Sequence, residues 1–167
     1  MKVAKITLND IVNGEGICLS LWLQGCDHFC KGCFNKETWD YNGGRFFTEE
    51  DSKYILSNID FRVERNLSIL GGDPLYKENL DGLYDFLKNF RRAYPNKKIY
   101  LWTGYLFEEI INNERMKRVI ELVNVLIDGR FEEDEKDINL WLCGSTNQRI
   151  IDVQKSFKEK EVIIYKY

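Results

Sequence analysis

Four apolar runs in this chain each stop at a glycine or a small polar cluster. Ile17 to Gln24 ends at Gly25, and Asn66 to Leu70 ends at Gly71-Gly72-Asp73-Pro74. Lys98 to Trp102 ends at Thr103-Gly104, and Val125 to Ile127 ends at Asp128-Gly129. Short β-prone runs bounded by turn residues read as buried strands entering loops. Helical patterns lie between them. Thr48-Glu-Glu-Asp is a helix start with acidic residues in its first turn, and Tyr54, Ile55 and Ile59 offer an apolar face behind it, which predicts a helix to about Ser57. Leu80, Leu83, Tyr84, Leu87 and Phe90 follow the i, i+3, i+4, i+7, i+10 spacing of an amphipathic helix, closed before Pro95. Tyr105 to Val123 is also helical, with a break at Asn112-Asn113.

Strands alternating with helices define an α/β fold built of βαβ units around a mainly parallel sheet. At 167 residues the chain is expected to be one domain, 1-167. The four clusters that follow the strands should converge on one sheet edge, which is where parallel α/β proteins bind ligands. Toward the C-terminus, Arg149 to Val153 and Glu161 to Tyr165 read as two further strands with no helix between them.

Lys and Arg total 24 against 27 Asp and Glu, a net charge of -3. That balance removes the long-range field needed for non-specific binding to nucleic acid or to an anionic membrane. No stretch reaches the roughly eighteen apolar residues of a membrane span, and Met1 to Leu8 lacks the apolar region of a secretory signal. The expectation is a cytoplasmic protein without a nucleic-acid or membrane partner. In a reducing compartment, five cysteines point to metal binding or catalysis ahead of a disulfide framework.

Three of those cysteines, Cys26, Cys30 and Cys33, stand at CxxxCxxC spacing directly after the first buried run. On a helix they would share an arc of about 60° as a packed small-residue face, but Gly25, Asp27, Lys31 and Gly32 suit an exposed loop better. Two metal readings follow. A structural zinc takes four ligands, so His28 would have to complete a Cys₃His set in a zinc-stabilised binding module. An iron–sulfur cluster also takes thiolates, and three cysteines on four irons leave one iron open to a substrate or cofactor.

CxxxCxxC with an open iron resembles the radical S-adenosylmethionine (SAM) superfamily. Gly25 to Trp39, Gly71 to Leu75, Trp102 to Tyr105, Asp128 to Phe131 and Gly144 to Arg149 together look like the activating proteins of anaerobic (class III) ribonucleoside-triphosphate reductase. The similarity runs in family order from Ile17 to Asp152. The resemblance implies a shortened, open (β/α) partial barrel of the radical SAM type. Cys26, Cys30 and Cys33 would ligate a [4Fe-4S] cluster whose fourth iron is chelated by SAM. Gly71, Gly72, Asp73 and Pro74 match the glycine-rich segment that meets the methionine amino group, and Gly32 and Phe34 would border the adenine. Thr103 and Asp128, just past strand ends, are candidate polar contacts to ribose or methionine. Taken alone, GGDP is only a turn.

The implied reaction is reductive cleavage of SAM, followed by hydrogen abstraction from a glycine of the reductase. A flavodoxin-like protein is the implied one-electron donor. A complete eightfold barrel takes about 250 residues, so the short chain suits an open mouth that a protein loop could enter. Activation of a different glycyl-radical enzyme, or another small radical SAM reaction, would use the same cluster. The usual segment ends in Glu where this chain has Asp73, one methylene shorter. Cys18 and Cys143 read as bystander thiols, His28 as a loop residue, and Asn147, Gln148 and Arg149 carry no assigned role.

Overall fold

A computed structural model describes residues 1–167. In chain order the elements are β1 (Lys2–Asp10), β2 (Cys18–Leu23), β3 (Arg45–Phe46), α1 (Glu49–Asn58), β4 (Asn66–Gly71), α2 (Leu80–Ala93) and β5 (Ile99–Trp102). There follow α3 (Phe107–Ile111), α4 (Glu114–Ile120), β6 (Val125–Asp128), β7 (Arg149–Asp152) and α5 (Val153–Glu159). The strands form one seven-stranded sheet in the order β3-β1-β2-β4-β5-β6-β7. Its centre, β2-β4-β5-β6, is parallel, while β1 and β7 flank it in antiparallel pairing and β3 pairs antiparallel with β1 at the edge.

Each parallel crossover steps one strand further in the same direction. Because such crossovers are right-handed, their helices fall on one face of the sheet. The two-residue alternation of the strands shows the result. Leu19, Leu21, Leu23, Leu67, Ile69, Leu101, Leu126 and Ile151 pack into one buried cluster with residues from all five helices, among them Ile55, Leu83, Phe107, Val119 and Val153. The residues between them point the other way, where Cys18, Tyr100, Val125 and Ile127 form a small second cluster under Leu142, Cys143 and Tyr165. This second face is covered by loops rather than helices. One of its covers is the segment after β1, held down where Asp10 accepts from the Val12 and Asn13 amides and from the Ser20 hydroxyl (2.6 Å).

The helices follow the sequence closely. Thr48 caps α1, with its hydroxyl accepting from the Asp51 amide and the Asp51 carboxylate accepting from the Thr48 amide. The break at Asn112-Asn113 is real, because the Asn113 side chain accepts from the Arg115 and Met116 amides and so starts α4 afresh. Tyr54, assigned to the buried face of α1, instead lies exposed, and that face is carried by Ile55 and Ile59 with the partly buried Leu56 beside them.

The C-terminal expectation holds for its first strand, which is β7, and fails beyond it. Between the two expected strands lies α5, started by Asp152, whose carboxylate accepts from the Lys155 amide. The last segment contributes only an isolated bridge, Ile151 to Ile164. The strand β1 has no signal in the sequence, since two register irregularities break its alternation and leave only Val3 and Asp10 buried.

Asp51 also forms a two-bond ion pair with Arg45 (2.6 and 2.7 Å), which holds its carboxyl down at about 2. An acid whose folded value lies below its unfolded one stabilises above the unfolded value and loses that contribution as pH falls. Asp51→Asn is expected to cost about 1 kcal/mol at pH 7, with the gap to wild type closing between pH of about 4 and about 2. Urea titrations across that range check it.

Candidate active site

The loops at the ends of β2, β4, β5 and β6 meet at one end of the sheet and surround a cavity of about 690 Å³. Its floor is the helix-free face, contributed by Trp22, Leu70 and Trp102. The alternation of β2 and β5 turns these indoles away from the leucine core, and the Trp102 indole is fixed by donating to the Leu142 carbonyl (2.8 Å).

The cysteine loop forms one wall. Cys26, Cys30 and Cys33 all line the cavity, and none is paired in a disulfide. Main-chain bonds seat the start of this loop: Gly25 N–H donates to Thr38 O (2.7 Å) and Cys26 N–H to Trp39 O (3.0 Å). The Asn35 amide points at the Cys33 sulfur (3.4 Å). Burial pushes the Cys26 thiol up to about 12 and raises Cys30 as well, so without a metal both thiols stay protonated at neutral pH. A coordinated metal reverses that balance, because it removes the proton outright.

The glycine-rich segment forms the adjoining wall, and its glycines serve the chain itself. A Cβ on Gly72 would sit 2.4 Å from the Gly25 carbonyl oxygen, and one on Gly71, whose φ is +118°, would sit 2.3 Å from that of Leu23. Only glycine lets the end of β4 lie this close to the cysteine loop. The approach is fastened by Gly72 N–H to Leu23 O (2.9 Å) and Asp73 N–H to Gly25 O (2.8 Å).

Asp73 is 1% exposed, and its carboxylate faces the neighbouring loops. It accepts from the Leu75 amide (2.8 Å), from the Thr103 hydroxyl at both oxygens (2.9 Å), from the Gly104 amide (2.9 Å) and from His28 Nε2 (2.7 Å). Thr103 is thereby engaged as well. Of the candidate residues, Cys26, Cys30, Cys33, Phe34, Gly71, Gly72, Asp73 and Thr103 line the cavity. Phe34 does so from an open position, 61% exposed, against Phe131 and beneath the Lys136 ammonium.

Gly32, Pro74 and Asp128 are not among the lining residues. Gly32 is needed at φ +73° where Glu133 crosses it, 2.6 Å from where a Cβ would lie. Asp128 is fully buried and committed: it accepts from the Phe107 amide (2.8 Å) and from Arg149 Nε (2.9 Å), while Arg149 also grips Glu108. Asn147 and Gln148, without a role in the sequence, donate to the Arg130 and Gly129 carbonyls and brace the loop after β6. Cys18 is buried beneath Gly14, away from the cavity, whereas Cys143 lines it. Phe131, Trp141 and Leu142 also line the cavity and were missed, because they sit in stretches with no strand or helix period.

The donor set fits an iron–sulfur cluster. Three thiols line one cavity, and an iron–sulfur cluster takes thiolates, each at a different iron. A structural zinc needs a fourth ligand. His28, the fourth ligand of the zinc reading, is spent on Asp73.

A sheet end that spreads three thiols around one cavity defines the class, an iron–sulfur protein carrying one cluster. The family described as a 4Fe-4S single cluster domain matches residues 12–151. The anaerobic ribonucleoside-triphosphate reductase-activating protein of Pasteurella multocida (strain Pm70) is 41% identical over 143 residues, covering 84% of this chain and 90% of that protein. Those of Escherichia coli (strain K12) and Enterobacteria phage T4 are 41% and 38% identical over 141 residues, covering 83% and 84% of this chain and 90% and 87% of theirs. The chain belongs to the family of anaerobic ribonucleoside-triphosphate reductase-activating proteins.

Gly72→Ala forces a side chain into main-chain oxygen and is expected to destabilise by about 1–3 kcal/mol. A Cβ at Gly16 would meet no atom within 4 Å, so Gly16→Ala should cost only the strain of its φ of +68°. Denaturant unfolding of the two variants checks the ordering.

Proposed function

We propose that this protein is a radical SAM activase that generates a glycyl radical on an anaerobic ribonucleoside-triphosphate reductase. The observation that carries the reading is the meeting, in one strand-end cavity, of Cys26, Cys30 and Cys33 with Gly71 and Gly72. When bound, a [4Fe-4S] cluster supplies the electron that splits SAM into methionine and a 5′-deoxyadenosyl radical, the species that removes hydrogen from a glycine Cα. The three cysteines would hold three irons and leave the fourth to the amino and carboxylate groups of SAM. Gly71 and Gly72 present main chain to the methionine end, where carbonyl oxygens suit an ammonium. Phe34, exposed on the rim, suits the adenine. Thr103 and Asp128 act from within the wall, by tying loops together.

Four parallel strands in sequential order with every helix on one side support the finer reading of the fold as a shortened, open (β/α) barrel of the radical SAM type. One sheet carrying the whole site supports a single domain over 1-167. The open cavity suits a loop of the reductase, since hydrogen abstraction requires the two carbons close and aligned. The motif resemblance adds a flavodoxin-like one-electron donor. Five unpaired cysteines suit the reducing cytoplasm, and no helix is long and apolar enough to cross a membrane.

Anaerobic reconstitution followed by iron and sulfide analysis is expected to give one four-iron cluster per chain. With reductant, SAM and the reductase, electron paramagnetic resonance should show a glycyl radical. Cys26→Ala, Cys30→Ala and Cys33→Ala should each abolish that signal, and Cys18→Ala should keep it. Stoichiometric zinc without iron or sulfide overturns the reading.

A further inference from the structure

The chain has a single histidine, placed inside the cysteine loop two residues after Cys26. Its side chain is 4% exposed, and Nε2 lies 2.7 Å from Asp73 Oδ2. A carboxylate oxygen can only accept, so the imidazole donates through Nε2. The remaining donors to Asp73 come from its own turn, Leu75, and from the end of β5, Thr103 and Gly104. His28 is therefore the buried side-chain tie between the cysteine loop and the ends of β4 and β5.

The ring is fitted on its other sides too. A Cβ on Gly104 would fall 2.5 Å from the imidazole Cδ2, and Tyr105 meets the ring edge-on with centroids 4.5 Å apart. Gly104 is thus the residue that leaves room for His28. Asp73 is matched to the same space. A glutamate would carry the carboxylate about 1.5 Å further, into donors already at 2.7 to 2.9 Å.

We propose that His28 is a positioning residue for the cluster: the bond it donates to Asp73 holds the CxxxCxxC loop against β4 and β5. The acid of the Gly-Gly-Asp-Pro segment works through this bond rather than by touching SAM. The inference rests on the activase reading for the identity of the cluster, while the bond itself belongs to the protein without iron.

Three variants and three readouts test it. Glutamine can place its amide nitrogen where Nε2 stands, asparagine cannot reach, and Asp73→Glu restores the acid usual in the superfamily. In the protein without iron, His28→Asn and Asp73→Glu should speed hydrogen exchange at the Gly104 amide with far-ultraviolet circular dichroism unchanged. After reconstitution both should release iron to a chelator at least about tenfold faster and shift the cluster's midpoint potential, while His28→Gln matches wild type in all three. Wild-type exchange, iron retention and potential in His28→Asn or Asp73→Glu would overturn the proposal, as would a loss in His28→Gln equal to that in His28→Asn. If wild type takes up no iron or sulfide the activase reading falls, and exchange at Gly104 still decides the positioning bond.

Discussion

The Asp73 carboxylate sits out of reach of water, and such a group is tolerated only when its hydrogen bonds are complete. Completion here draws on three segments: the cysteine loop through His28, the turn after β4 through Leu75, and the end of β5 through Thr103 and Gly104. Removing the acid would orphan several buried donors, each worth about 1–3 kcal/mol. The strand ends are therefore fixed relative to one another, and the cavity is the space they leave. Asp128 repeats the device two strands further on, joining β6 to the start of α3 and to Arg149 of β7. Two buried acids, at the ends of β4 and β6, hold the loops that a sheet alone would leave free.

Much of this was legible because the local signals agree with the tertiary ones. Leu80, Leu83, Leu87 and Phe90 recur with helical period and all four are buried against the sheet. Asn112-Asn113 stops one helix and starts another because the Asn113 side chain offers a cap. The helix starting at Val153 was missed since Val153 is β-branched and stands one residue past the apolar pair Ile150-Ile151, a pattern that suits a strand. The capping bond of Asp152 decides for a helix there, with Ser156 accepting from the Ile163 amide to turn the chain back. The strand β1 left no period to read because its bulges shift the pleat.

The site divides in the same way. The cysteines declared themselves by spacing, and the strand-end clusters by position. What could not be read was direction: Asp73, Thr103 and Asp128 occupy the expected places, yet their polar atoms are consumed by the protein. Strand alternation would have assigned Trp22 and Trp102 to the face opposite Leu21, Leu23 and Leu101, and so to the cavity floor. The cover contributed by Trp141 and Leu142 had no such signal, because it lies in an irregular segment placed by the Trp102 bond to Leu142.

The glycines show why these motifs are short and dense. Gly25, Gly71, Gly72 and Gly104 each stand where a Cβ would strike another strand-end loop within 2.3 to 2.6 Å. In two of the four the obstacle is main chain, which cannot yield as a side-chain tip can. The close approach that glycine permits is thus first an approach of loop to loop, and main chain reaches the cavity because the loops are packed that tightly. Burial in this packed wall opposes ionisation of Cys26, whereas coordination requires the thiolate. The loop must therefore be held in place by forces other than the metal, and the Asp73 bonds, the Gly72 bond to Leu23 and the seating of Gly25 and Cys26 on Thr38 and Trp39 are those forces.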